Sequence, residues 1–187
     1  MKSIVLVILL MFSYKSFSED AAKFFISKSI KTTIFSEAPL ENIEATSRTG
    51  VAILNTETRE IQFNIPIRSF DFAKKKMQEH FNENYMESDK HPNARFKGKI
   101  NQAIDLSVSG NYNVSVTGDL EVHGVKQKRT ISGSIKVAPG SVAISSKFDV
   151  RCADHNISIP RLVFRNIAET IRVTVSGSFT PYNPTQS

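Results

Sequence analysis

Candidate metal ligands occur at His80 and Glu83, which lie three positions apart in a segment with helical periodicity. Residues three apart share one helix face, so this pair could offer two ligands to a metal ion. Glu79 is adjacent, and His91 follows at the end of the same segment. A metal site requires three or four convergent ligands, and the spacing provides only two. We therefore predict no metal site and no cofactor, and we interpret this face as solvated.

His123 and Cys152 are the other side chains that could take part in catalysis. A nucleophilic thiol needs an oriented base, and nothing near Cys152 in the sequence supplies one, so we interpret it as a small buried hydrophobe. His123 precedes Gly124, where glycine permits a turn and the histidine can bind loop backbone groups. A polar group at the mouth of a barrel is the functional alternative for His123. No catalytic residues are predicted, because the sequence contains no nucleophile elbow, Ser-His-Asp order or phosphate-binding loop.

The elements that would position these residues alternate strictly between apolar and polar side chains. In one run Tyr112, Val114, Val116, Leu120 and Val122 are separated by polar residues. The same period of two recurs in four other segments, residues 61–67, 131–137, 142–150 and 171–179. A period of two predicts strands with one buried face and one wet face.

Turn-forming residues separate these runs. Asn55 opens a polar turn before the strand at residues 61–67, and Pro139 and Gly140 predict a hairpin between two later strands. The polar residues 125–129 are interpreted as a connection between strands. Short strands at hairpin spacing indicate an antiparallel barrel or sandwich and not a parallel sheet with crossover helices.

One segment departs from the strand pattern. Between residues 70 and 85 the apolar positions recur every three or four residues, which predicts a single amphipathic helix with Asp71 as its N-cap. Pro92 then returns the chain to an extended conformation. The predicted fold is therefore all-β, with about eight antiparallel strands and one inserted amphipathic helix.

The N-terminus predicts export. An apolar run at residues 4–12 follows Lys2, and Ser16 and Ser18 place small residues where a signal peptidase reads. The run is too short to span a bilayer as a helix. An uncleaved anchor or a buried helix is the alternative, but polar residues follow closely. We predict a signal peptide at residues 1–18, one domain at residues 19–187, and a periplasmic or secreted location.

Charge and cysteine content limit the possible partners. The formal net charge is +6, and the basic residues are scattered, which argues against nucleic-acid binding and is compatible with contact with an anionic membrane surface. Cys152 is the only cysteine, so no intrachain disulfide can form.

A closed barrel of about eight strands either fills with its own side chains or holds one small ligand. The chain has 13 Phe and no Trp, and an apolar Phe-rich lining suits an acyl or isoprenoid chain. Phe179 also falls on an inward-looking row. The pattern alone does not separate a cavity from a filled core. The predicted lining residues are Phe63, Ile65, Phe70, Met77, Phe81, Tyr85, Phe96, Phe148 and Ile157.

Two motifs resemble the YceI-like family. The segment YMESDKHPNARFKG at residues 85–98 resembles an element with Pro and Phe-x-Gly that leads into a central strand. The segment TGDLEVHGV at residues 117–125 is similar to the more specific second signature, Thr-Gly-x-Leu-x-x-His-Gly-Val. The similarity extends from about Phe25 to Tyr182. It implies a lipocalin-like barrel with a helical insertion, export, and binding of polyisoprenoids or other long-chain amphiphiles.

Two details refine this resemblance. The helix at residues 78–85 is similar to that of a Bacteroidetes-type branch. Many members also carry an Arg-x-Asp-Phe-Gly element before the last strand, whereas here Cys152 replaces the Arg, and His155 and Asn156 replace Phe-Gly. If that Arg contacts a ligand head group in relatives, the head group bound here differs.

The resulting hypothesis is an exported, non-enzymatic carrier or sequestering protein for a long-chain lipid or isoprenoid. Two alternatives remain at this point. One is a structural or interaction module whose barrel is filled by its own side chains. The other is an enzyme acting on an apolar substrate, which would need titratable groups such as His80, Glu83 or His123 inside the cavity.

Overall fold

Nine strands and one short helix make up the described part of this computed structural model, which covers residues 23–37, 42–159 and 168–183. The predicted signal peptide lies outside these residues. No helix in the described ranges is long and apolar enough to cross a membrane. The strands are β1 (Phe24–Ser36), β2 (Ile43–Asn55), β3 (Glu60–Pro66), β4 (Asp71–Phe72), β5 (Asn93–Ile100), β6 (Gly110–Val122), β7 (Val125–Ala138), β8 (Ser141–Arg151) and β9 (Thr170–Tyr182).

Eight of the strands close into an antiparallel barrel. Their order is β1-β9-β8-β7-β6-β5-β3-β2, and β2 pairs back to β1. The short β4 adds to the other edge of β2, where Asp71 is opposite Thr46. The predicted all-β fold, with about eight antiparallel strands and one inserted helix, is confirmed.

Strand β1 closes the barrel, and the alternation in the sequence did not identify it. Its register with β2 shifts on both sides of Ile30, which pairs with Gly50. Such bulges interrupt the period of two and bend the strand. Ile30 is nevertheless fully buried, so this irregular stretch anchors β1 to the core.

The polar stretch at residues 125–129 is the beginning of β7, and its interpretation as a connection was wrong. A two-residue turn made by His123 and Gly124 joins β6 to β7, with Val122 opposite Val125. Both turn residues have positive φ, 51° and 72°, as a type I′ hairpin turn requires. The predicted hairpin at Pro139 and Gly140, between β7 and β8, is confirmed.

The helix is shorter than the predicted span of residues 70–85. Helix α1 (Lys75–His80) continues directly into a π-helical turn (Phe81–Tyr85). The prediction of Asp71 as N-cap was wrong, because Asp71 pairs with β2 and Lys74 occupies the cap position without a side-chain hydrogen bond. Burial of Phe72 beside β2 fixes these residues as a strand.

One end of the barrel is filled by side chains. Leu54, Ile100, Val142 and Phe179 are almost completely buried, and all four lie near the ends of their strands beside the β2–β3 and β7–β8 turns. We call this the plugged end. Helix α1 lies at the opposite end, which we call the helix end, after β3 and before β5.

The wall between β7 and β8 is only partly hydrogen bonded. Their ladder runs from Ala138–Ser141 at the hairpin to Gly133–Ser146, and no further pair joins them in the described residues. Toward the helix end, side chains span the strands instead. The guanidinium of Arg129 donates to the Asp149 carbonyl oxygen at 2.7 Å, and the Gln127 amide donates to that of Asp154 at 2.8 Å.

Candidate ligand-binding site

A cavity of about 400 Å³ occupies the barrel between the plugged end and the helix end. That volume lies within the range of small-molecule sites in proteins. Its wall consists mainly of Ile, Val, Phe and Met side chains drawn from β1, β2, β3, β5, β6, β7, β8, β9 and the helical segment. The barrel is therefore hollow, and its interior suits an apolar molecule.

All nine side chains predicted as a lining lie on the cavity wall. Several are only half-buried, which is consistent with side chains that border empty space and not solid core. Their contact with a ligand stays a prediction. They come from β3, the stretch around the helix, β5, β8 and the segment after β8, and they are Phe63, Ile65, Phe70, Met77, Phe81, Tyr85, Phe96, Phe148 and Ile157.

The sequence prediction missed a large part of the wall. Most of the missed residues lie on the same alternating apolar rows that predicted the strands. The alternation therefore indicated them in β6 to β9 but not in β1. Phe179 was expected on an inward row, and it is inward but belongs to the plugged end and not to the cavity. The additional lining residues include Ile34, Ile43, Val116, Val122, Ile131, Ile144, Val173 and Val175.

Three phenylalanines hold the helical segment over the cavity. The ring of Phe81 meets that of Phe70 edge-on at a centroid distance of 5.7 Å and that of Phe72 at 5.0 Å. Each such aromatic pair contributes about 0.5–1.5 kcal/mol beyond the apolar area that it buries. Phe70 and Phe72 themselves are buried against the barrel. Phe81 therefore anchors the helix end while one side of it borders the cavity.

The Phe-x-Gly element of β5 shapes another part of the wall. A Cβ atom on Gly98 would lie 2.8 Å from Cζ of Phe96, so the absent side chain at Gly98 leaves room for the ring along the strand. Gly98 is also directly opposite Gly118 on β6. The ring of Phe96 lies 6.4 Å from that of Phe63 on β3. The glycine thus lets a large aromatic side chain lie against the wall.

Polar atoms in the wall are mostly hydroxyls. Thr32 is 5% exposed, and its hydroxyl has no hydrogen-bond partner among the described residues. A buried hydroxyl without a partner is costly, so the Thr32 side chain carries a local energetic penalty in the wall. Ser146 on β8 also borders the cavity, and its hydroxyl donates to the Ser132 carbonyl oxygen at 2.7 Å.

Four titratable side chains among the described residues line the cavity, and three of them, Cys152, Tyr85 and Arg95, are held in unreactive or paired states; the fourth is His80. Burial raises the pKa of the Cys152 thiol, and the charge of Glu169 raises it further, so the thiol stays protonated. Burial also raises the pKa of Tyr85. Arg95 donates from Nε to Oδ1 of Asn64 at 3.3 Å and lies 3.7 Å from the Glu121 carboxylate.

The candidate metal ligands separate in the structure. His80 borders the cavity, and in the described ranges neither His80 nor Glu83 belongs to a cluster of three possible ligands. His91 instead stacks edge-on against His123, with ring centroids 4.6 Å apart. Glu87 completes that group. Lys90 and, secondarily, His123 hold the pKa of Glu87 below its ordinary value through hydrogen bonds.

Comparison with known proteins identifies the family and the fold. A family model described as the YceI-like domain matches residues 20–179. No curated protein matches the chain at a significant level.

Solved structures share the fold at low sequence identity. A polyisoprenoid-binding domain from Saccharophagus degradans aligns with 13% identity and a TM-score of 0.73, covering 87% of this chain and 100% of its own. BcnA from Burkholderia cenocepacia aligns with 15% identity and a TM-score of 0.68, covering 80% of this chain and 95% of its own. The Campylobacter jejuni YCEI protein aligns with 14% identity and a TM-score of 0.57, covering 98% of this chain and 100% of its own. With its sequence match and its hollow eight-stranded barrel, this chain belongs to the YceI-like domain family.

Proposed function

We propose that this protein is an exported carrier or sequestering protein that binds one long-chain apolar ligand inside its barrel. The observation that carries the proposal is the cavity of about 400 Å³, which is lined chiefly by apolar side chains and blocked at its plugged end. A linear chain entering from the helix end would fill such a space. Polyisoprenoids and fatty acids are the ligand classes of this shape and polarity.

The expected binding energy comes from burial of methylene groups. Each buried CH₂ contributes about 0.8 kcal/mol, so about a dozen contribute roughly 10 kcal/mol. Association costs are of the same order, roughly 4–15 kcal/mol. Tight binding therefore requires a chain long enough to fill the cavity, and affinity should increase with chain length up to that point.

A polyisoprenoid is the favoured ligand class. The wall is rich in Phe and branched aliphatic side chains, which follow the irregular outline of a methyl-branched chain. The likeness of the fold to a polyisoprenoid-binding domain from another organism supports this choice.

A self-filled barrel is the less favourable alternative. It requires side chains to occupy the interior along the whole barrel, whereas here they do so only at the plugged end. We also propose binding without turnover, because the cavity thiol is held protonated and Arg95 is engaged by Asn64 and Glu121. Of His80, Glu83 and His123, only His80 borders the cavity. We propose export to the periplasm or the cell exterior as well, and the apolar run and small residues at the N-terminus support it.

Binding of a chain-length series to delipidated protein tests the proposal. Saturated fatty acids and linear isoprenols of increasing length would compete with a fluorescent fatty acid. We expect affinity to increase steadily with length and then level off, with isoprenols binding at least as tightly as fatty acids of the same length. Equal, weak displacement by chains of every length would contradict the proposal.

A further inference from the structure

Three potential metal ligands converge at the helix end of the barrel. Glu87 and His91 lie in the loop between the helical segment and β5, and His123 lies in the β6–β7 turn. One ligand atom from each lies within 4.8 Å of the others. In the described part of the chain this is the only group of three such residues.

The ring of His123 is oriented from both sides. Its Nδ1 lies 3.1 Å from the backbone carbonyl oxygen of His155, and its Nε2 lies 3.0 Å from Oε2 of Glu87. A carbonyl oxygen can only accept, so Nδ1 is the donor in that contact. Nε2 is then the ring nitrogen that faces the Glu87 carboxylate, where it can donate a hydrogen bond or ligate an ion held between the two side chains. Nε2 and Oε2 are therefore the atoms with which these two side chains would ligate an ion.

The contact with His155 is one that metal-binding histidines commonly make. A ligating histidine usually donates its second ring N–H to a backbone carbonyl or a carboxylate, which fixes the ring and its tautomer. His155 is itself fully buried, and its Nδ1 lies 3.0 Å from the carbonyl oxygen of Val125. The support behind His123 is therefore rigid.

Gly124 makes room for His91. A Cβ atom at position 124 would lie 2.7 Å from Cε1 and 2.8 Å from Nδ1 of the His91 ring. Hydrogen bonds from the amides of Lys90 and His91 to the carbonyl oxygen of Glu87 close the loop that carries both ligands. The turn and the loop thus bring the two rings together.

The donor set suits zinc. Two imidazole nitrogens and one carboxylate oxygen are ligands that Zn²⁺ prefers, with a fourth position open to water. Bond lengths of about 2.0–2.1 Å place tetrahedral ligands roughly 3.3 Å apart, so the cluster must contract by about 1.5 Å at most. Lys90 binds Oε1 of Glu87, which leaves Oε2 for the ion.

We propose that Glu87, His91 and His123 form a binding site for a divalent transition metal ion, with Zn²⁺ as the best match. The ion would link the loop before β5, the β6–β7 turn and, through the His155 carbonyl, the segment after β8. This inference does not depend on the ligand of the barrel.

Titration of the tag-free full chain with Zn²⁺, in competition with a chromophoric chelator, tests the site. We expect one Zn²⁺ per chain. His91→Asn and His123→Asn should each weaken binding at least tenfold, and Glu87→Gln about tenfold. His80→Asn and Glu83→Gln, which remove similar groups outside the cluster, should leave Zn²⁺ affinity unchanged.

Circular dichroism establishes that each variant is folded, and His91→Asn keeps the test decisive if His123→Asn does not fold. Co²⁺ provides a second readout, because a site with tetrahedral nitrogen ligands gives visible absorption that His91→Asn should abolish. No saturable Zn²⁺ binding, or unchanged binding in folded His91→Asn, would overturn the proposal. The contact between Glu87 and His123 would then be only a hydrogen bond between the two side chains.

Discussion

The ring centroids of Phe72, on the short strand β4, and Phe81, in the π-helical turn, lie 5.0 Å apart, so the two elements pack against each other. Because β4 pairs with β2, this contact connects the helical segment to the closed barrel. Phe81 also borders the cavity, so the same side chain closes the helix end and contacts the space where a ligand would lie.

Replacement of Phe81 by Ala should loosen the helix end. The substitution removes two aromatic contacts from a half-buried side chain, and we expect a loss of about 2 kcal/mol in the free energy of unfolding, measured in urea. Release of a bound fluorescent fatty acid should be several-fold faster. Glu79→Ala, on the exposed side of α1, is the control. A release rate equal to that of the wild type would show that the helix does not restrict ligand exit.

Filling the cavity should abolish binding without unfolding the barrel. Val175 on β9 borders the cavity, so Val175→Trp places a large ring in the space for the ligand. We expect at least a tenfold loss of affinity for long chains and an unfolding midpoint near that of the wild type. Thr174→Trp, the exposed neighbour, should bind normally. Undiminished binding by a folded Val175→Trp variant would place the ligand elsewhere.

The Cys152 thiol should react slowly while the protein is folded. Its side chain is buried and its pKa is raised, chiefly by burial, so little thiolate exists at pH 8. Because the pKa of Cys152 is higher in the folded state, its contribution to the free energy of unfolding depends on pH. That contribution is fully present below the ordinary thiol pKa of 9.0 and is lost as the pH rises through the raised pKa.

A thiol-specific chromogenic disulfide measures this reactivity. We expect labelling much slower than for the urea-unfolded chain, and slower again with a fatty acid bound, because Cys152 borders the cavity. Labelling at the rate of the unfolded chain would contradict the buried position.

The partly paired wall between β7 and β8 should respond to loss of Arg129. Its guanidinium donates to the Asp149 carbonyl oxygen beyond the end of the ladder. Arg129→Gln should lower the free energy of unfolding by about 1 kcal/mol and accelerate ligand exchange through the weakened wall. Lys128→Gln, an exposed neighbour, serves as the control in stopped-flow exchange. Identical exchange rates in the two variants would exclude this wall as a route.

Regular alternation allowed most of the barrel to be predicted from the sequence. The runs in β6, β8 and β9 keep one apolar row, so their faces were correctly inferred. Strand β1 was missed because bulges around Ile30 break the period. The start of β7 was misread because Gln127 and Arg129 lie on the row that is apolar in the rest of the strand. There they donate hydrogen bonds to the Asp154 and Asp149 carbonyl oxygens near the helix end.

The cavity lining could be predicted from the sequence where its residues lie on a regular apolar row of a strand or helix. The nine lining residues were found from inward rows and helical spacing. The cluster of Glu87, His91 and His123 was not, because its third member lies 32 residues beyond His91 and joins it only through the β6–β7 turn. Asp71 was misassigned because pairing with β2 outweighs its preference for a helix cap.

Identification of what the barrel carries tests the central claim most directly. Protein purified from its native host would be extracted with organic solvent and the extract analysed by mass spectrometry, beside Val175→Trp prepared in the same way. We predict one class of long-chain apolar molecule at about one per chain, absent from the variant. Folded wild-type protein that yields no such molecule, and binds none when offered isoprenols and fatty acids, would contradict the account.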